Sequence, residues 1–321
     1  METINLYNLA IISCICFFFL GCSSTQLIDV SESDQLDKLL NDIGSVEVKI
    51  NAKEEVKQLV IKSIVSLEAD IRINFVEQID SETLVIKNNF LNQEFVHFCK
   101  SANDYLEEVT KQYLFDFQKN DEVFVFYGDK FKSSADLIKK NYPGVRVIKL
   151  NGNYDELVKS VFQLSGSYNR ADLINRLVQE EEVNFVPRPR EDFEKILILG
   201  GYDQSKNFVP SLKFNFILKK PIYVSSQSIT GIEDRKKLLD FSEVILAVPN
   251  SFIEDDSSNL NELAKLSFLQ DLLLVSAIKK NNGNSQKIAG KFANIRYSQN
   301  ACSDMDMSIV KIDNQGKFNL L

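Results

Sequence analysis

The sequence has no tryptophan, a single histidine, His97, and five cysteines among 321 residues. Each scarcity excludes a class of function. A Ser-His-Asp triad would have to use His97, which lies in the apolar stretch Phe95-Val96-His97-Phe98 and reads as a strand residue. A zinc site lacks ligands, because there is no Cys-x-x-Cys pair and no second imidazole. No Gly-x-Gly-x-x-Gly or Walker-type loop occurs, so a nucleotide site has no support. Positive charge is in deficit as well. The net charge of −8 argues against a nucleic-acid partner and against adhesion to an anionic membrane by charge alone. Glu254-Asp255-Asp256 and Asp304-Met305-Asp306 lack calcium-loop spacing and read as solvated turns. The expectation is therefore no metal and no cofactor.

What is present begins with an apolar run. No Lys or Arg precedes Lys38, yet Leu9 to Leu20 gives 12 apolar or small residues, enough for a signal-peptide core and too few to span a bilayer. The run ends Phe19-Leu20-Gly21-Cys22-Ser23-Ser24, which resembles the bacterial lipoprotein box. The expectation is a signal peptide over 1–21, lipidation at Cys22 and a polar tether over 22–45. Ser23 rather than Asp after the lipidated residue implies the periplasmic face of the outer membrane. A membrane anchor or a buried strand remains the alternative, with a rival box at Cys14. After cleavage Cys99 and Cys302 are the only cysteines besides Cys22. An oxidising periplasm would let them pair, but two small buried hydrophobes is the expectation.

The rest alternates strand and helix. Strands are predicted at 46–50, 83–86, 95–98, 122–127 and 145–150, and helices over 54–67, 134–141, 154–164 and 171–178. Ser101-Ala102-Asn103-Asp104 resembles a capping box opening a helix whose face includes Leu106, Val109, Tyr113 and Phe117. Ser165-Gly166-Ser167 is expected to separate two helices, and Glu180-Glu181-Glu182 to be a solvated helix end. Farther on, a strand is predicted at 244–248 and a long helix over 263–278, capped by Asn259 or Asn261 and ended by Asn281 to Asn284. A terminal hairpin closes the chain. This is a parallel α/β pattern.

Its centre is Asn184 to Gly231. A Pro- and Arg-rich entry, Phe185 to Arg190, precedes the apolar run Ile196 to Leu199. Gly200-Gly201 breaks the run, a helix follows from Gln204, and Ile222-Tyr223-Val224 ends in Ser225-Ser226. The glycine turn is read as a tight βα connection rather than an anion site. The ordered residues Phe185, Pro187, Arg188, Arg190, Asp192, Pro210, Leu212, Lys213, Phe214, Pro221, Tyr223, Ser225, Ser226, Gly231 and Asp234 resemble the LppC-type lipoproteins, outer-membrane activators of bifunctional penicillin-binding proteins. The resemblance covers Phe95 to Pro249, and departs where Pro249-Asn250 stands for the family's Pro-Trp.

That resemblance implies a two-lobed fold of the type I periplasmic-binding-protein kind, with parallel sheets. Lobe one is expected over 46–118 with a return through 229–253, and lobe two over 119–227. The helix and hairpin of 259–321 follow. It also implies a non-catalytic regulator whose partner is a bifunctional penicillin-binding protein. Arg188 and Arg190 are candidate partner contacts, unless Glu191, Asp192 or Glu194 pair with them internally. Ser225, Ser226, Gln227 and Ser228 stand at a possible cleft or hinge, with a structural role in the crossover favoured. The alternative is a solute-binding lipoprotein holding a small polar ligand between the lobes.

Overall fold

A computed structural model of the chain describes residues 45–65, 67, 70–114, 122–178, 185–215, 217, 219–280, 286–298 and 301–321. The signal segment, Cys22 and its tether as far as residue 44, Phe117, Glu180 to Glu182 and Asn281 to Asn284 lie outside the described residues. The side chain of Tyr113 does too.

Apolar runs separated by helices give strands β1 (Val46–Ala52), β2 (Ile71–Phe75), β3 (Leu84–Ile86), β4 (Val123–Tyr127), β5 (Val145–Lys149), β6 (Lys195–Leu199), β7 (Ile222–Val224) and β8 (Val244–Val248). They continue as β9 (Gln286–Ala289), β10 (Asn294–Tyr297), β11 (Asp304–Asp306), β12 (Ser308–Ile312) and β13 (Phe318–Leu320). The described helices of eight residues or more are α1 (Glu54–Val65), α2 (Ala102–Leu114), α3 (Lys132–Asn141), α4 (Tyr154–Val161), α5 (Ser165–Leu177), α6 (Tyr202–Phe214) and α7 (Leu260–Lys280). The capping box at Ser101 is real. Its hydroxyl accepts the Asp104 N–H at 3.2 Å, and the Asp104 carboxylate accepts the Ser101 N–H at 3.4 Å. Asn259 caps α7 by accepting the Glu262 N–H at 3.0 Å.

The strands form two α/β lobes. The larger sheet has the order β13-β12-β8-β7-β6-β4-β5. Its members from β8 to β5 run parallel, and β12 and β13 are antiparallel additions. Strand β6, Lys195–Leu199, is buried on both faces, as a central parallel strand must be. The smaller sheet, β2-β1-β3, is parallel, and β11-β10-β9 forms an antiparallel sheet beside it. The two-lobed α/β architecture with parallel sheets is thus present.

Helix α7 joins the lobes. Leu260 and Ala264 belong to the core of the larger sheet, whereas Phe268 to Ile278 belong to the core of the smaller one. Phe268 is ringed by Phe90, Phe95, Phe98 and Phe292 at centroid separations of 5.2 to 6.2 Å. A second cluster of Phe124, Phe126, Phe162, Phe193 and Phe208 fills one face of the large sheet. Phenylalanine supplies the bulk that tryptophan would otherwise bring.

Several expectations are corrected. The return of 229–253 does not enter lobe one, because β8 pairs with β7 and β12 in the large sheet. The segment 259–321, expected as a helix and hairpin assigned to neither lobe, is divided between them: α7 and β9 to β11 complete lobe one, and the hairpin extends lobe two. Phe95 to Phe98 is a turn closed by a bridge between its own ends, with Phe98 also bridging Ser303. Ser165-Gly166-Ser167 opens α5 instead of separating helices. Strands β2 and β9 to β11 were not expected at all.

Cys99 and Cys302 form a disulfide, with Cα atoms 5.4 Å apart, against the expectation of two unpaired hydrophobes. The Phe98–Ser303 bridge brings the two segments side by side, with the Ser303 N–H donating to the His97 carbonyl at 2.9 Å. Both cysteines are exposed, so neither behaves as a buried apolar residue.

Candidate functional site

The two stretches singled out in the sequence sit in the large-sheet lobe and have opposite characters. Ser225 to Ser228 follows β7 as a tight turn. The Ser225 hydroxyl accepts the Gln227 N–H at 3.3 Å, fixing the turn. Ser226 donates to the Ala247 carbonyl at 2.6 Å, tying the turn to β8. Ser228 donates to the Gly200 carbonyl at 2.9 Å, and its hydroxyl lies 2.8 Å from that of Ser205 on α6. All three serines are buried. A buried hydroxyl must be hydrogen-bonded or cost free energy, and these use their capacity on the βα turn of their own lobe.

Gln227 alone reaches across. Its amide donates to the Glu107 carboxylate of α2 at 3.2 Å. Burial pushes the Glu107 pKa up, opposed by Lys111 one turn along the helix at 3.4 Å. This is a polar contact between lobes. Glu107 carries no motif, and only its place one turn before Lys111 would have pointed to an internal pair.

The Pro- and Arg-rich segment lies on the outside of the lobe as extended chain. Pro187 is buried, and Pro187 and Pro189 hold the backbone stiff. The Arg190 N–H donates to the Phe162 carbonyl at 3.0 Å. Its guanidinium forms a two-pronged pair with Asp192 and lies over the Phe124 ring, 5.5 Å from the centroid. The hydrogen bond to Asp192 holds the Arg190 pKa up and lowers that of the Asp192 carboxyl. Arg190 is therefore an internal residue.

Arg188 differs. Its backbone N–H donates to the Ser167 hydroxyl at 3.1 Å, while its side chain is exposed and meets no carboxylate among the described residues. It lines a groove of about 1330 Å³ between α5 and the extended segment, together with Arg170, Ile174, Phe185 and Lys219. Phe185 packs edge-on to Tyr168 at 5.3 Å. The sequence reading paired the two arginines as one candidate. The structure separates them, and it adds Arg170, whose signal was an Arg beside Leu173 and Ile174 on a helix.

The remaining candidates are engaged. Glu254 pairs with Lys291 at 2.8 Å and Asp304 with Arg296 at 2.6 Å. No cluster of His, Cys, Asp or Glu able to hold a metal occurs among the described residues. Burial, with the charge of Lys279, pushes the His97 imidazole down to about 4, which leaves it neutral near pH 7.

No family profile and no curated protein matches the sequence. Among solved structures, the C-domain of LpoA from Haemophilus influenzae, a regulator of PBP1A, aligns over 90% of this chain and 85% of its own, at 10% identity and a TM-score of 0.44. Full-length LpoA from the same organism aligns at 10% identity and 0.44, but this chain spans 50% of its length. An ABC transporter substrate-binding protein from Desulfitobacterium hafniense, in complex with Leu, aligns over 86% of this chain and all of its own, at 9% identity and 0.45. Likeness of this size says nothing about ligand, partner or activity.

Proposed function

We propose that this chain is a lipid-anchored, non-catalytic regulator that faces the periplasm from the outer membrane and activates a bifunctional penicillin-binding protein. One observation carries the reading. The charged and hydroxyl side chains that resemble the LppC-type family are tied into the large-sheet lobe, with one charged motif side chain left over. Arg190 holds Asp192, Lys213 donates to the Ser242 hydroxyl at 2.7 Å, Ser226 holds β8, and Asp234 caps the turn after it at 3.0 Å. Among the charged residues of that motif, Arg188 is the one whose side chain has no internal partner among the described residues. The Cys99–Cys302 disulfide supports an oxidising compartment.

Activation here means tighter binding to the active state of the synthase than to its inactive state. Anchoring both proteins to facing membranes raises their effective concentration, so micromolar affinity suffices. The test is crosslinking by the organism's own bifunctional synthase, with and without the full chain in detergent. A rise in crosslinking is expected, and no binding and no change at tens of micromolar rejects the reading. Cys22→Ala should abolish fatty-acid labelling and release the protein from outer-membrane fractions; unchanged labelling moves the anchor to Cys14 or Cys16. The fold suits a solute-binding role equally, but Ser225, Ser226 and Ser228 are already bonded internally. A ligand screen by thermal shift separates the two, because a cleft binder is stabilised by its ligand.

A further inference from the structure

The groove between α5 and Phe185 to Glu191 is cationic in a protein of net charge −8. Two guanidiniums, Arg170 and Arg188, line it with no carboxylate partner among the described residues. Among the described residues of its wall the one acidic side chain, Glu191, is held by Lys219 at 3.3 Å. Apolar side chains are exposed on both walls: Val186, which lines the groove, is 61% exposed, and Leu173 and Leu177 on α5 are 58% and 74% exposed. Isolated exposed apolar residues need no explanation, but apolar side chains exposed on the same two segments that carry unpaired guanidiniums suit an interaction surface.

Its size decides what kind of ligand fits. Small-molecule sites are enclosed and span about 300–1000 Å³. This groove of about 1330 Å³ is larger and is not enclosed. Its wall is preorganised: Pro187 and Pro189 fix the backbone, and the Arg188 N–H is held by Ser167. A peptide docking there meets side chains that are already in place.

We propose that this groove receives an extended segment of a protein partner in which acidic and apolar residues are interspersed. Carboxylates pair with Arg170 and Arg188, whose planar forks suit them, and apolar side chains cover Ile174, Leu177 and Val186. The assignment excludes Arg190, which Asp192 and the Phe124 ring already occupy. It deepens the docking role proposed above and rests on that reading only for the identity of the partner.

The test uses the full chain in detergent and two fluorescein-labelled dodecapeptides, one a Glu-Leu-Ser repeat and the other its Lys-Leu-Ser counterpart. The acidic peptide should bind at least tenfold more tightly, and raising salt from about 50 to about 300 mM should weaken it severalfold. Arg170→Ala with Arg188→Ala should reduce its affinity at least tenfold, and Leu177→Ser about threefold, with melting temperatures unchanged. Equal binding of the two peptides, or an unchanged affinity in the folded double variant, overturns the assignment. So does comparable Arg-dependent binding of sn-glycerol 3-phosphate, a soluble phosphate monoester, which would make the patch a general anion surface. If the double variant does not fold, salt-independent binding by the wild type overturns it instead. Synthase stimulation is measured in parallel. Wild type that binds the acidic peptide without stimulating synthase supports the groove and rejects the activator reading; stimulation without peptide binding does the reverse.

Discussion

The lobes are assembled in different ways. Lobe two grows along the chain, with β4 to β8 laid parallel and joined by local crossovers. Lobe one is made of two segments from opposite ends of the described chain, and a few long-range closures hold them together. The disulfide joins residues 203 apart, the Tyr105 hydroxyl donates to the Ser303 carbonyl at 2.9 Å, and Lys280 donates to the Glu47 carbonyl at 2.7 Å. Asp271, in the middle of α7, accepts the N–H groups of Lys291, Phe292 and Ala293 at 2.7 to 3.0 Å. Lobe two rests on distributed burial, so single changes in its surface should matter little. Lobe one depends on closures, so single changes there should matter a great deal.

The strongest way to break this contrast is to open the disulfide. Cys99→Ser with Cys302→Ser should cost about 2–5 kcal/mol, since the bridge closes a very long loop and the unfolded chain gains the released entropy. Urea unfolding monitored by circular dichroism measures it. A loss below about 1 kcal/mol would mean that lobe one is held by its core alone. The next test acts on Asp271. Burial pushes its pKa up to about 7, against three N–H donors that favour the carboxylate. The folded carboxyl therefore binds its proton more tightly than the unfolded one, and the native state holds more protons between about pH 4 and 7. Stability falls as pH rises through that window, by up to about 1.4 kcal/mol per pH unit. Asp271→Asn should remove this component. A stability difference between wild type and variant that stays flat from pH 4 to 7 would show that the donors outweigh burial.

The same contrast explains what could be read from the sequence. Lobe two was legible because its strands are continuous apolar runs, such as Ile196 to Leu199, each bounded by Gly, Pro or a helical stretch. Lobe one was not. Strand β2, Ile71-Arg72-Ile73-Asn74-Phe75, alternates as a half-buried strand does, but it is short and lies close behind α1. Strands β9 to β11 have three or four residues each and depend on pairing with one another. The disulfide was invisible, because proximity across 203 residues is a property of the fold. At the candidate site, the residue types of Phe185 to Arg190 were legible. Which of the two arginines was free was not, since Asp192, two residues on, and Phe124, on β4, decide it together.

A smaller effect should come from the serine turn in lobe two. Ser228→Ala leaves the Ser205 hydroxyl short of a partner in a dry site and removes the bond to the Gly200 carbonyl, at a cost of about 1–3 kcal/mol. Thermal unfolding checks it. If Ser228→Ala is neutral and yields a site that binds polar solutes, the turn is a ligand site and the inward reading fails.

The smallest effects separate the two arginines, and the difference between them is what matters. Arg190 has a side chain only 14% exposed, but its partner Asp192 is 57% exposed, so solvent screens the pair and it contributes at most about 1 kcal/mol. The cation–π contact with Phe124 adds about 0.5–1 kcal/mol, and the buried methylenes add packing. Arg190→Ala should therefore lower stability by about 1–2 kcal/mol. Arg188→Ala removes an exposed side chain with no carboxylate partner among the described residues, while its backbone bond to Ser167 survives the substitution. Its effect on stability should stay within about 0.5 kcal/mol. Urea melts of the two variants, compared at equal salt, test the assignment directly. If Arg188→Ala destabilises as much as Arg190→Ala, then Arg188 has an internal partner and is not free to meet another protein. If both are neutral, the Asp192 and Phe124 contacts contribute nothing, and Arg190 returns as a candidate for the outer surface.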